Sequence, residues 1–284
     1  MTLTRILTAA ILIPVVIGLI WWGAPALIAA VGAIVVVLAL LEFFSLGERV
    51  GLKGYRFWTC ICAVLIFFQQ WQATLSERTS VTRDIVFVHQ PAVFTASLEM
   101  ALLVFVFGAG AIAVFSSLPL ADALGDLGIS AAALLFVALP FSAAIRLDAM
   151  SRRLLLFALA MIWVGDSFAY FIGRSLGRHK MSPQLSPHKT WEGALANLAG
   201  SMLLGALVAR WVEIGIGDML AMAALGNIAG QFGDLLESAY KRSAGVKDSG
   251  TLLPGHGGML DRIDALVLSL PVVWYYFQLV VAAR

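Results

Sequence analysis

Asp261 and Asp264 stand three residues apart in the stretch HGGMLDRID, at the entrance to an apolar run that begins at Ala265. On a helix that spacing projects both carboxylates from one face, while Arg262 points elsewhere. Two carboxylates held so close repel unless a cation lies between them, and all-oxygen ligation suits magnesium (Mg2+) rather than zinc. Gly255, Gly257 and Gly258 flank His256 just before this helix. Glycine permits close backbone approach, and free amides at a helix start bind phosphate. Loops are rich in glycine for purely conformational reasons, and a loop histidine more often bonds locally than acts as a ligand, so His256 is given no proton-transfer role.

Two further acids lie where an apolar sequence would not place them. Asp166, in MIWVGDSFAYFIG, is eight residues before Arg174, and Asp234, in GQFGDLLESAYKR, is seven before Lys241. At about 1.5 Å per helical residue, each sits roughly 10 to 12 Å inside its basic loop end. Burying a carboxylate in a membrane span costs about 2.5 to 3.5 kcal/mol, so such residues face a polar cavity, a partner or a metal. Any one of the four acids could be a packing ion pair; four together point to a site.

The basic groups concentrate nearby. GRSLGRHKMSPQLSPHKTWEG, residues 173–193, contains Arg174, Arg178, Lys180 and Lys189 with the hydroxyls Ser186 and Thr190, and ends at a helix start. A basic loop beside a membrane is first of all a topology signal. The proline, hydroxyls and lysine of SPHKTWEG also suit an anionic group held at the interface. Cation-binding acids beside anion-binding bases fit phosphate chemistry with a divalent metal. No Walker loop or HExxH motif is present.

The elements that must position these groups are membrane helices. The 284 residues are 61% hydrophobic and 13% charged, far from the balance of soluble domains. Mean hydropathy is +0.92. Apolar stretches able to cross, or nearly cross, about 30 Å of hydrocarbon recur along the chain. Nine are expected, at about 6–22, 24–44, 57–71, 98–118, 129–145, 154–172, 194–212, 219–236 and 265–283. The fold class is therefore all-α, a polytopic integral membrane protein of about nine transmembrane helices. Residues 1–284 form one membrane-embedded domain, with the catalytic region mainly in 154–284. The first helix, although followed by an APA tripeptide, is expected to be retained rather than cleaved. Cys60 and Cys62 stand alone as packing residues, with no disulfide framework or thiolate metal site.

Nine crossings with a cytoplasmic N-terminus put the basic loops after the second, sixth and eighth spans on the cytoplasmic side. The charge-balanced loop 72–97 falls outside. RLDAMSRR, residues 146–153, carries three arginines against one aspartate and contradicts this arrangement. The first half of the chain supplies few polar residues within its spans.

SAYKRSAGVKDSGTLLPGHGGMLDRID, residues 238–264, resembles the signature of the phosphatidate cytidylyltransferases (CDP-diacylglycerol synthases). That signature reads as a serine, an apolar pair, KR, four variable residues, KD, a glycine-containing turn, P, HGG and DRxD. Tyr240 departs mildly, standing where a more apolar residue is expected. GDSFAYFIGRSLGRHKMSPQLSPHKTWEG (165–193) and GDLLES (233–238) also resemble the family, with His188 at a position where lysine is frequent.

The resemblance implies conversion of CTP and phosphatidate to CDP-diacylglycerol and pyrophosphate with magnesium, leaving open a second cation such as potassium (K+). It implies Asp234, Asp261 and Asp264 as metal ligands, with Asp166 a further candidate, and Lys247 and Asp248 beside them in catalysis. Lys189, Lys241, Arg242 and Lys247 would neutralise the triphosphate, and Ser186 and Thr190 would orient phosphate oxygens. His256, Gly257, Gly258 and Arg262 would complete the substrate side. Expected partners are the two substrates, membrane lipid and a second copy in a homodimer, without nucleic acid. The expected location is a bacterial inner membrane with the site facing the cytoplasm.

Three rivals are weaker, one of them a lipid kinase using ATP, which would give ADP rather than pyrophosphate. A cation-coupled transporter would not need two lysine-rich loops beside its acids. The Asp-Gly pair and spaced aspartates of CDP-alcohol transferases are absent.

Overall fold

Apolar runs punctuated by proline, serine and glycine fold into eleven α-helices among the residues described by the computed structural model, which are 2–81, 97–116, 119–252 and 257–283. The first four helices are α1 (Thr2–Trp22), α2 (Pro25–Arg49), α3 (Arg56–Val81) and α4 (Leu98–Phe115). Pro25 opens α2 at a position where its missing N–H costs nothing. Ser97 caps α4 by accepting from Met100 N. The stretch Leu120–Met150 is broken rather than straight. It passes through α5 (Ala123–Ala133), a π-helical turn at Leu134–Ala138, α6 (Leu139–Phe141) and α7 (Ala143–Met150). Pro140, which has no N–H to donate, lies just after the π turn.

The second half holds α8 (Arg152–Leu176), a two-stranded antiparallel hairpin of β1 (Lys180–Ser182) and β2 (Ser186–Thr190), then α9 (Trp191–Val212), α10 (Ile216–Ser243) and α11 (Leu260–Tyr276). A helix lies over part or all of each apolar stretch read from the sequence, among the described residues, but the count of nine crossings is not borne out. Seven helical stretches are long and apolar enough to cross a membrane: α2, α4, the broken stretch Leu120–Met150, α8, α9, α10, and α11 with its π-helical extension to Val281. α1 carries a shorter apolar stretch, Ala10–Trp22, and α3, interrupted by Gln69, Gln70 and Gln72, is not among the seven. α3 also runs ten residues past its expected end at 71, so the loop expected at 72–97 is helical to Val81. Residues 82–96 of that loop lie outside the described residues.

The arginines of 146–153 have structural partners. Arg152 donates to Trp21 O at 2.6 Å and Gly23 O at 2.8 Å, where α1 ends. Arg153 donates to Trp211 O at 2.9 Å, where α9 ends, and pairs with Glu213. The last carbonyls of a helix lack intrahelical donors and carry partial negative charge, so a guanidinium there satisfies both needs. Arg146 lies over the Trp274 ring, 4.8 Å from its centroid. Trp21 and Trp211 stack at 6.0 Å beside Arg153, as aromatic residues do at a membrane interface. This belt lies where α8 begins; the hairpin lies where α8 ends, about 37 Å away along 25 helical residues.

Helices α8 to α11 pack against one another around the motifs read from the sequence, and glycine sets their spacing. A Cβ on Gly233 of α10 would stand 2.6 Å from Asp264 O of α11. Only a residue without a side chain lets the two helices approach so closely.

Candidate active site

Asp234, Glu237 and Lys241 follow one another at steps of three and four along α10, so one face of that helix carries all three. Asp261 and Asp264 lie in the first turns of α11. Because the helices approach at Gly233, one carboxylate oxygen from each of Asp234, Glu237 and Asp264 lies within 4.8 Å of the others. Oxygens around an octahedral magnesium, bound at about 2.0 to 2.1 Å, stand roughly 3 to 4 Å apart. Small side-chain rotations would close the difference. Glu237 is fully buried, and its Oε1 has no hydrogen-bond partner among the described residues. A buried carboxylate oxygen without a donor is costly, and a cation would supply what it lacks. The three acids therefore fit a hard divalent metal.

Asp261 has a different environment. Its Oδ1 accepts from Lys241 Nζ at 2.6 Å, and its Oδ2 accepts from Ser249 N at 2.9 Å and Gly258 N at 2.8 Å. Ser249 Oγ lies 3.0 Å from the same Oδ2. Lys241 also pairs with Glu237, so one buried ammonium joins the acid group to Asp261. Asp261 is thus a saturated hub beside the group that can take a metal, and Glu237 is the third member of that group.

The basic hairpin closes on the acids from the other side. Lys189 Nζ lies 2.5 Å from Asp234 Oδ2. Both residues line a cavity of about 610 Å³ between α8, α9, α10 and the hairpin. Arg174, Lys180, His188 and Thr190 add basic and hydroxyl groups to its wall, and Asp166, Asn197, Asn227 and Gln231 line it within the helices. Asp166 is held there by a chain of side chains. Asn197 Nδ2 donates to Asp166 Oδ1 at 3.1 Å, Asn227 Nδ2 donates to Asn197 Oδ1 and to Ser201 Oγ, and Ser201 Oγ donates to Met161 O. Such a chain fixes the side chains against one another.

The remaining candidates are distributed less evenly. Thr190 accepts from Gly193 N at 3.2 Å and so caps α9 at the cavity wall. Ser186 pairs with Ser182 in the hairpin register. Arg242 donates through Nε to Leu185 O at 3.0 Å and through Nη1 to Val246 O at 2.8 Å, tying the hairpin to the end of α10. Lys247, Asp248 and Arg262 are exposed and do not line the cavity. Gly257 has φ +79°, which favours glycine, and Gly258 serves through its N–H. His256 lies outside the described residues.

Sequence reasoning did not single out Glu237, although it sits three residues after Asp234 in an apolar helix. It also passed over Glu42 of α2, the one acid among residues 1–47. Glu42 Oε1 accepts from Met259 N at 2.9 Å, and Oε2 accepts from Leu260 N at 2.8 Å. The rule that flags intramembrane acids would have flagged both.

Residues 3–280 match the family model described as the Cytidylyltransferase family. A phosphatidate cytidylyltransferase of Brucella abortus is 46% identical over 123 residues, covering 43% of this chain and 46% of the relative. One from Staphylococcus epidermidis is 42% identical over 123 residues, 43% and 47% of the respective chains. One from Staphylococcus haemolyticus is 42% identical over 121 residues, 42% and 46%. In each case the similarity spans about half the length of the relative.

Proposed function

The chain belongs to the cytidylyltransferase family, and from that membership and the geometry of the cavity we propose that it is a phosphatidate cytidylyltransferase. CTP and phosphatidate would give CDP-diacylglycerol and pyrophosphate. The observation that supports the reading is the ion pair of Lys189 with Asp234, because it brings the basic hairpin to the member of the three-acid group that lines the cavity. The relatives' names support the choice of nucleotide and lipid.

In this reading Asp234, Glu237 and Asp264 hold magnesium, which when bound supplies charge neutralisation at the phosphates. Lys189, with Lys180 and Arg174 on the cavity wall, neutralises phosphate oxygens. Lys241 is spent on Glu237 and Asp261 and acts by holding them in place. A phosphatidate phosphate oxygen attacks the α-phosphorus in line. The new P–O bond forms as the bond to the β-phosphate oxygen breaks, and pyrophosphate leaves with that electron pair. With a second pKa of about 6, as for phosphoserine, the lipid phosphate is largely ionised at neutral pH, so no side chain need remove a proton. The basic residues gathered at this end of the helices support a cytoplasmic orientation, the side from which CTP arrives.

The test is CTP- and magnesium-dependent release of pyrophosphate with formation of CDP-diacylglycerol by the purified protein in detergent with phosphatidate. Asp234→Asn is assayed beside it. Wild-type product and its loss in the folded variant support the reading. Folded wild-type protein that yields no product with CTP, or that yields a nucleoside diphosphate from ATP, overturns it.

A further inference from the structure

The acid group is connected to the N-terminal half of the protein by a continuous chain of polar contacts. Glu42 projects from α2 and accepts from Met259 N and Leu260 N, the first free amides of α11. Ser249 Oγ stands 3.0 Å from Glu42 Oε2 and 3.0 Å from Asp261 Oδ2. Asp261 accepts from Lys241, and Lys241 pairs with Glu237. Five side chains from α2, the segment after α10, α11 and α10 itself are thus joined in the order Glu42, Ser249, Asp261, Lys241, Glu237. Helix α11 receives no side-chain cap from its own flanking residue Met259, so its amides depend on Glu42. The fit is close. A Cβ on Gly250 would stand 2.6 Å from Glu42 Oε1, and one on Gly258 would collide with Glu42 and Ser249.

We infer that Glu42 is a positioning residue for the metal-binding acids, acting through Ser249 and Asp261 on Glu237 and through the start of α11 on Asp264. The carboxylate charge suits the positive end of α11, and two oxygens are needed to meet two amides and a hydroxyl. An amide at this position has one oxygen, and its NH2 faces donors. Displacing a metal ligand by about 1 Å is enough to cost on the order of 100-fold in rate.

The inference rests on the metal assignment above, and its test reads metal binding apart from turnover. Binding of Mn2+ to the full-length protein in detergent is followed by electron paramagnetic resonance, without nucleotide, for wild type, Glu42→Gln, Ser249→Ala and the control Glu48→Gln. Glu48 lies on the same helix and pairs with Arg56. The expected result is Mn2+ affinity about 10-fold or more weaker in Glu42→Gln, weaker to a smaller degree in Ser249→Ala, and unchanged in Glu48→Gln. Glu42→Asp, which keeps both oxygens, should recover part of the loss. In turnover, kcat should fall further than KM for CTP rises. Wild-type affinity and kcat in folded Glu42→Gln overturn the inference. Should Glu42→Gln not fold, wild-type affinity in Ser249→Ala overturns it. A wild-type protein that binds Mn2+ but turns over no CTP leaves the positioning result readable and counts against the proposed reaction instead.

Discussion

Lys189 of the hairpin and Asp234 of α10 form an ion pair of 2.5 Å across the cavity wall, both partly exposed to it. The pair joins the basic hairpin to the acidic face of α10. In the proposed reaction a triphosphate with its metal would bring a positive charge to Asp234 and negative charges to Lys189, so each partner would gain a better one. The ammonium would then exchange a carboxylate for a phosphate oxygen without crossing the cavity.

Lys189→Gln should lower kcat/KM for CTP by about 100-fold, since a charge-assisted contact to phosphate is worth on the order of 2 to 3 kcal/mol. The KM for phosphatidate should change little. Steady-state kinetics with each substrate varied in turn checks this, and an equal effect on both substrates would contradict the assignment.

Glu237→Gln should abolish most activity, by at least 100-fold, while the fold persists. Lys241 keeps its pair with Asp261 in that variant. Raising the magnesium concentration should recover part of the rate if the loss lies in metal affinity.

Lys241→Met should be a stability variant first. Its ammonium neutralises Glu237, whose side chain is 0% exposed, and Asp261, whose side chain is 6% exposed. Removing one member of a buried charge group costs about 3 to 5 kcal/mol. Thermal unfolding in detergent should show the loss, and adding Glu237→Gln in the same chain should restore part of it, because fewer unpaired charges remain.

Gly233→Ala tests the approach of α10 to α11. Its Cβ would lie 2.6 Å from Asp264 O, so the helices must separate. Activity should drop by on the order of 100-fold with the helical content by circular dichroism unchanged.

Arg152→Ala should leave turnover unchanged and reduce stability by about 1 to 2 kcal/mol, by stripping Trp21 O and Gly23 O of their donor at the far end of the helices. Reduced turnover at a temperature where the variant is fully folded would show that the two ends are coupled.

What the sequence determined by itself follows from properties that travel with short segments. Apolar runs of membrane-spanning length identify an all-α polytopic protein, because hydrocarbon admits only backbone that satisfies its own hydrogen bonds. The spacing of Asp234 with Lys241, and of Asp261 with Asp264, placed acids and bases at one end of their helices, and the motif at 238–264 pointed to the family that the whole-chain match bears out. The partners of each acid depended on how the helices rotate and how closely they approach. Two acids one helical turn apart look equivalent in sequence, yet Asp264 turns toward Asp234 and Glu237 while Asp261 is taken up by Lys241, Ser249 and Gly258. Gly233 decides this through an approach that a side chain would prevent. The arginines at 146–153 read as a topology conflict in the sequence, which could not show that Arg152 and Arg153 meet the terminal carbonyls of α1 and α9. Glu42 reaches amides more than 200 residues away, separated by 217 and 218 positions. Contacts over such distances arise only when the chain packs, so only the tertiary structure could assign them.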